Sequence, residues 1–142
     1  MVTTEKHSTV RDGKRLVWYT ERLWSEARTL KPFDIELLSI RELEQDCWFA
    51  SGTSGRNPTL REIANHCRRI NAANLEWPII LNVDGSLMDG GHRVCKAILE
   101  GRSTIRAVQF AVMPEADEVH PVIAHAADPP TSHRITLPAR SA

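Results

Sequence analysis

From Trp18 to Leu30 the apolar residues Tyr19, Leu23, Trp24, Ala27 and Leu30 recur at helical spacing, with Glu21, Arg22, Glu26 and Arg28 turned away. That is the pattern of an amphipathic helix. Pro32 ends it, because the residue before a proline is pushed out of the helical region. Residues 33–40, Phe-Asp-Ile-Glu-Leu-Leu-Ser-Ile, alternate as a strand, and residues 51–58, rich in Ser and Gly, read as a loop. Thr59 followed by Glu62 is a capping-box signature, in which each side chain satisfies the other's backbone N–H. A stripe of Leu60, Ile63, Ala64, Cys67 and Ile70 then predicts a second helix, with Cys67 a small buried hydrophobe rather than a nucleophile. Residues 78–83 are a strand, Asp84-Gly85 a two-residue hairpin turn, and Ser86-Leu87-Met88 the return strand. After Asp89-Gly90-Gly91 a helix runs from His92 to Glu100, with Val94, Ala97 and Ile98 on one side and Gly101 as its stop. Residues 104–112 close the series as a strand. The order helix, strand, helix, hairpin, helix, strand predicts an α+β domain over residues 16–113, with a small mixed sheet and flanking helices.

The ends read differently. Residues 1–15 are polar and carry no apolar period, which predicts a flexible arm. The stretch 114–142 holds five of the eight prolines, Pro114, Pro121, Pro129, Pro130 and Pro138. Proline removes backbone donors and fixes φ, so an extended or disordered tail is expected there. His120, His125 and His133 lie in it without ligand-like spacing and read as solvated residues. No internal repeat is present.

Composition narrows the functional classes. The chain has 142 residues, 18 Lys+Arg against 18 Asp+Glu, and three cysteines. Zero formal charge argues against a protein that coats nucleic acid by electrostatics alone. No apolar run reaches the ~18–20 residues of a membrane-spanning helix, and the polar start lacks a secretion signal. Cys47, Cys67 and Cys95 form no Cys-x-x-Cys pair and no disulfide framework, so a cytoplasmic protein is expected. His66-Cys67 and His92 with Cys95 supply no standard four-ligand set, so no metal site is expected from them. Arg61, Arg68 and Arg69, beside His66, make a mildly basic helix face. Four tryptophans are present, Trp18, Trp24, Trp48 and Trp77. Trp18 and Trp24 fall on different helix faces, which leaves one of them for exposure, while Trp24 and Trp77 are expected in the core. The segment Asp46-Cys47-Trp48-Phe49 is a candidate lid.

The turn Asp89-Gly90-Gly91-His92-Arg93 is the candidate site. A helix N-terminus presents unpaired N–H groups and the positive end of the dipole, and both attract anions. Two glycines allow close backbone approach, Arg93 adds a planar cationic fork, and His92 adds a donor. Cations in a first helical turn oppose the dipole, a conflict that a bound anion removes. The bland alternative is a common glycine turn in which Arg93 pairs with a structural carboxylate.

Residues 78–110 resemble the core of the ParB N-terminal domain / sulfiredoxin superfamily. The shared pattern is Gly90, Arg93, Ala97 and Gly101, followed by the strand of Ile105. The resemblance implies a ParB/sulfiredoxin-like fold in which Gly90, Gly91, His92 and Arg93 hold the phosphate of a nucleotide such as ATP, ADP or CTP, with or without Mg²⁺. Sulfiredoxin's nucleophilic cysteine falls at Gly91 here, so thiol chemistry is not implied, and Cys95 is not its substitute. Partitioning ParB proteins carry Gly-Glu-Arg-Arg where this chain has Gly-Gly-His-Arg. Residues 61–74 do not reproduce their second phosphate motif, and no helix-turn-helix is expected after residue 113. Direct DNA binding is therefore not expected. The Asp-Gly-x-His-Arg form is similar to small ParB-like proteins, some of them phosphotransferases on free serine, which would make Asp89 catalytic, as a proton acceptor or Mg²⁺ partner. Asp89 as a structural turn residue is the rival. Three functions stay open: a nucleotide-binding module, a phosphotransferase or nucleotide hydrolase using Asp89, and an accessory interaction module; a homo-oligomer is compatible with each.

Overall fold

The fold was analysed in a computed structural model that describes residues 5–49 and 57–122. Its centre is strand β4, Ile79–Leu81, whose three residues are all buried. Strand β6, Thr104–Gln109, runs parallel to it on one side, and β5, Leu87–Asp89, antiparallel on the other; β3, Phe33–Glu36, completes the sheet in the order β3-β6-β4-β5. Side chains on a strand alternate between faces, and the core divides accordingly. Ile79, Leu81, Ile105 and Ala107 pack against Val94 and Ala97 of helix α3, Gly91–Leu99, and against Leu37 and Ile40. Ile80, Val108 and Phe110 face the other way, onto Leu23 and Ala27 of helix α1, Thr20–Ala27, and onto Trp18. A β4-β5-α3-β6 run thus places α3 directly at the end of β5, with the turn of interest between them. The mixed α+β class read from the sequence is the class observed.

Several elements differ from the sequence reading. Where a flexible arm is expected, Lys6–Arg11 (β1) and Lys14–Tyr19 (β2) form an antiparallel hairpin. Asp12 and Gly13 make its turn with φ of 51° and 72°, both left-handed, as a two-residue hairpin turn demands. The inward positions of β1 are His7, Thr9 and Arg11, so hydropathy alone does not mark it as a strand. Trp18 belongs to β2 and is fully buried, and the helix begins at Thr20. Trp77, expected in the core, is 58% exposed. The strand over 33–40 is four residues long and gives way to two short 3-10 turns over 37–44. The β4–β5 turn is wider than Asp84-Gly85. It spans residues 82–86, with Asn82 N–H donating to the Ser86 carbonyl and Asp84 Oδ1 accepting from Ser86.

Helix α2, Leu60–Ala72, has the capping box read from its sequence, with Thr59 Oγ1 accepting from Glu62 N–H and Glu62 Oε2 from Thr59 N–H. Its apolar stripe is not buried as expected: Leu60, Ile63 and Cys67 are exposed. The side facing α3 carries His66 instead. The proline-rich stretch is structured at its start. Strand β7, Glu118–Pro121, pairs with β2, and Pro121 is tolerated because it sits at the end of an edge strand. The Pro114 carbonyl accepts Trp18 Nε1–H at 2.9 Å, and Asp117 Oδ2 accepts Tyr19 N–H at 2.7 Å while Oδ1 pairs with Arg22 Nε. Residues 123–142, including His125 and His133, lie outside the described residues, as do residues 50–56 of the expected loop.

Trp18 therefore joins the hairpin, the main core and the start of the proline-rich stretch. Trp18→Ala removes a fully buried ring and leaves the Pro114 carbonyl without its donor, at a cost of ~3–5 kcal/mol. Urea unfolding read by circular dichroism checks this, with Trp18→Phe expected to retain much of the packing.

Candidate functional site

Strand β5 ends at Asp89, and α3 starts two residues later, so the chain must reverse on Gly90. Its φ of 115° is open only to glycine at low cost, and a Cβ there would lie 2.6 Å from Ile79 Cγ2. Gly91 meets a different neighbour: a Cβ would lie 3.1 Å from the Trp48 ring. The room left by both glycines is therefore used for packing inside the protein.

The first helical hydrogen bond of α3 runs from Val94 N–H to the Gly90 carbonyl at 3.0 Å. The N–H groups of Gly91, His92 and Arg93 precede it and have no hydrogen-bond partner among the described residues, as expected of a helix start. No side chain caps this end. Arg93 sits in the first turn, and its NH2 donates to Asp89 Oδ2 at 3.0 Å. The same oxygen accepts Trp24 Nε1–H at 2.7 Å, and the guanidinium lies over the Trp24 ring at 5.1 Å. Asp89 thus bridges α1 and α3 through its side chain and does not cap α3, the structural role weighed for it from sequence. Arg93 does pair with a carboxylate. Its Nε, however, is buried without a partner among the described residues, and so is the second oxygen of Asp89 left without one.

The other side of the turn is aromatic. Trp48 stacks on His66 and His92, with ring centroids 4.2 and 4.6 Å away and planes 17° apart. His66 Nδ1 and His92 Nε2 share a hydrogen bond of 2.9 Å. Phe49 meets Trp48 and His66 edge-on. The segment before the Gly-Ser loop therefore does lie over the turn, as its candidate role as a lid supposes. Burial, the Arg69 guanidinium and the neighbouring His66 push His92 down from its usual 6.5 to about 4, and burial pushes His66 down as well. His92 consequently enters the site as a neutral donor or acceptor at pH 7. Under Trp48 and Phe49 an apolar cavity of about 310 Å³ is lined by Leu43, Cys47, Val94, Cys95 and Ile98. Burial raises both thiols, which disfavours the thiolate that cysteine chemistry needs.

Two cavities meet at the turn, and Asp89, Gly90 and His92 line both. One, about 550 Å³, has Trp24, Trp77, Arg69 and Arg93 in its walls. The other, about 520 Å³, has His7, Glu42, Trp48 and His66. A larger hollow of about 690 Å³ lies along α3's far end and the β3–β6 edge. Its charged lining includes Lys96, whose Nζ is already bound by the Asn71 and Ala73 carbonyls, so the turn is the better candidate. Arg69 is paired with Glu5. Among the described residues no three His, Cys, Asp or Glu side chains converge as metal ligands, and no helix is long and apolar enough to cross a membrane.

The five residues singled out in the sequence, Asp89, Gly90, Gly91, His92 and Arg93, are thus contiguous around the start of α3. Trp24, His66 and Trp77 were not read as part of the site, and Trp48 only as part of a candidate lid. Only the helical phase of His66, on the side of α2 opposite Arg61 and Arg68, hinted that it faces inward. Comparison with known protein families, curated proteins and solved structures gives no match for this chain.

A histidine held below its ordinary value binds fewer protons folded than unfolded. Its contribution to stability is complete above pH ~6.5 and is lost as pH falls through about 4. Urea midpoints should therefore fall between pH 6.5 and 4, and His92→Asn should flatten that part of the profile. A parent and variant of equal slope would place the titration elsewhere.

Proposed function

We propose that this domain binds a phosphate-bearing small molecule, a nucleotide, with phosphate oxygens at the start of α3. The observation that carries the reading is a set of donors in one turn without a partner among the described residues: the amides of Gly91, His92 and Arg93, and Arg93 Nε. Aligned amides and the helix dipole favour an oxyanion. An acceptor that pairs with buried donors removes a desolvation cost of ~1–3 kcal/mol per group. The pattern Gly90, Arg93, Ala97 and Gly101, similar to the ParB/sulfiredoxin superfamily, supports the same placement and extends it to nucleotides. Asp89 does not compete for all of Arg93: it takes NH2 and leaves Nε. Among the described residues no second cation sits unpaired at the turn, since Arg69 is bound to Glu5 and His92 is neutral. Affinity on this reading therefore rests on oriented hydrogen bonds more than on net charge.

A second reading, phosphoryl transfer or nucleotide hydrolysis, is favoured by the unpartnered oxygen of Asp89. With Oδ2 fixed by Trp24 and Arg93, the other oxygen is oriented to accept a proton from a hydroxyl or water, or to join the shell of a phosphate-bound Mg²⁺.

Calorimetric titration with ATP, ADP and CTP, each with and without Mg²⁺, tests the first reading. Arg93→Ala is expected to weaken binding about tenfold or more. Equal binding by parent and variant would move the phosphate away from this turn, and no binding of any of the three would remove the nucleotide. For the second reading, phosphate release by the parent should vanish in Asp89→Asn while binding persists.

A further inference from the structure

Resting on the phosphate placement just proposed, we infer that Trp77 is the stacking platform for the nucleotide's base. Trp77 precedes β4 and is 58% exposed, the most exposed of the four tryptophans. An exposed indole is costly in water and marks binding surfaces when it borders a cavity. Trp77 borders the cavity of about 550 Å³ that also contains Arg93, Gly90 and His92, a volume within the ~300–1,000 Å³ of small-ligand sites. Its one aromatic neighbour is Trp24, at 5.8 Å and 67°. Trp24 itself is committed: its N–H goes to Asp89 and Arg93 lies over its ring. No ring or cation stacks in parallel on Trp77 among the described residues.

The other indole at this turn, Trp48, already has ring partners on one face and at its edge. Trp48 carries His66 and His92 stacked against it and Phe49 on edge. A base stacking on that face would displace the imidazoles, with the loss of the His66–His92 hydrogen bond. The two cavities differ in the same sense, so the phosphate end and the ring end of one ligand are assigned to the Arg93–Trp77 side. The chain Asp89–Trp24–Trp77 fixes the angle between the two ends: Asp89 sets Trp24, and Trp24 sets Trp77 by its edge contact.

The test compares ATP with inorganic tripolyphosphate, which has the phosphates and no base, on the parent, Trp77→Ala and Trp77→Phe. Because the side chain is largely exposed and its one ring contact is the edge of Trp24, both variants are expected to fold, with urea midpoints only slightly below the parent's. Trp77→Ala should weaken ATP about tenfold, the usual effect of removing one base-stacking ring, and leave tripolyphosphate within about twofold. Trp77→Phe should recover most of the ATP affinity. The change in indole emission that ATP causes in the parent should be smaller in Trp77→Ala. If ATP and tripolyphosphate bind the parent but Trp77→Ala changes neither, or weakens both alike, the base platform is overturned while the phosphate site stands. If neither ligand binds the parent, the phosphate site itself falls, and the platform with it.

Discussion

The first turn of α3 contains a cation where the helix dipole is already positive, and the structure depends on how that conflict is settled. Arg93 cannot leave, because its guanidinium lies over Trp24 and its stem rises from a helix packed on β4 through Val94 and Ala97. Asp89, the last residue of β5, supplies the compensating charge. The same carboxylate holds Trp24, and through it α1, so one acidic group ties both faces of the sheet to the turn. Both partners are largely buried, which makes the pair a constraint rather than a reservoir of stability: breaking it strands a charge, whereas forming it repays desolvation.

That constraint shapes what the site offers a ligand. Arg93 spends one nitrogen on Asp89 and keeps another buried and unpaired. His92, which charge counting would add to the positive side, is held neutral by burial and by its two basic neighbours. Arg69 is spent on Glu5. The turn is consequently rich in donors yet nearly balanced in charge, in keeping with a chain of zero formal charge. A phosphate bound as proposed would be recognised by its oxygen geometry rather than drawn in by net charge alone.

The sequence made legible what local rules control. The capping box of α2, the glycine stop of α3 and the β4-β5-α3-β6 order all follow from spacing and turn chemistry, and the contiguous residues 89–93 were visible as a donor cluster for the same reason. What was lost depends on tertiary partners. β1 shows inward His7, Thr9 and Arg11, residues that hydropathy assigns to water; the Asp12-Gly13 turn beside it was the available signal and is of the same kind as Asp84-Gly85. The stripe of Leu60, Ile63 and Cys67 obeys helical periodicity but lies away from the core, because α2 docks through His66 onto His92 and Trp48. Periodicity identifies a face without saying what covers it. Trp18 and Trp77 exchange their expected environments for a similar reason: Pro114 supplies Trp18 with a buried acceptor, and no described residue does that for Trp77.

The two glycines show how packing fixes the geometry of the turn. Neither stands open to solvent in the simple sense suggested by their small size. Gly90 admits Ile79 beneath the turn, and Gly91 admits Trp48 above it. Close packing on both sides fixes the backbone, and a fixed backbone is what keeps the three unpaired amides of α3 aligned. Donors that are already oriented pay little further entropy when an acceptor arrives. The rigidity that glycine allows for internal contacts is therefore the same property that would favour the proposed phosphate at this helix start.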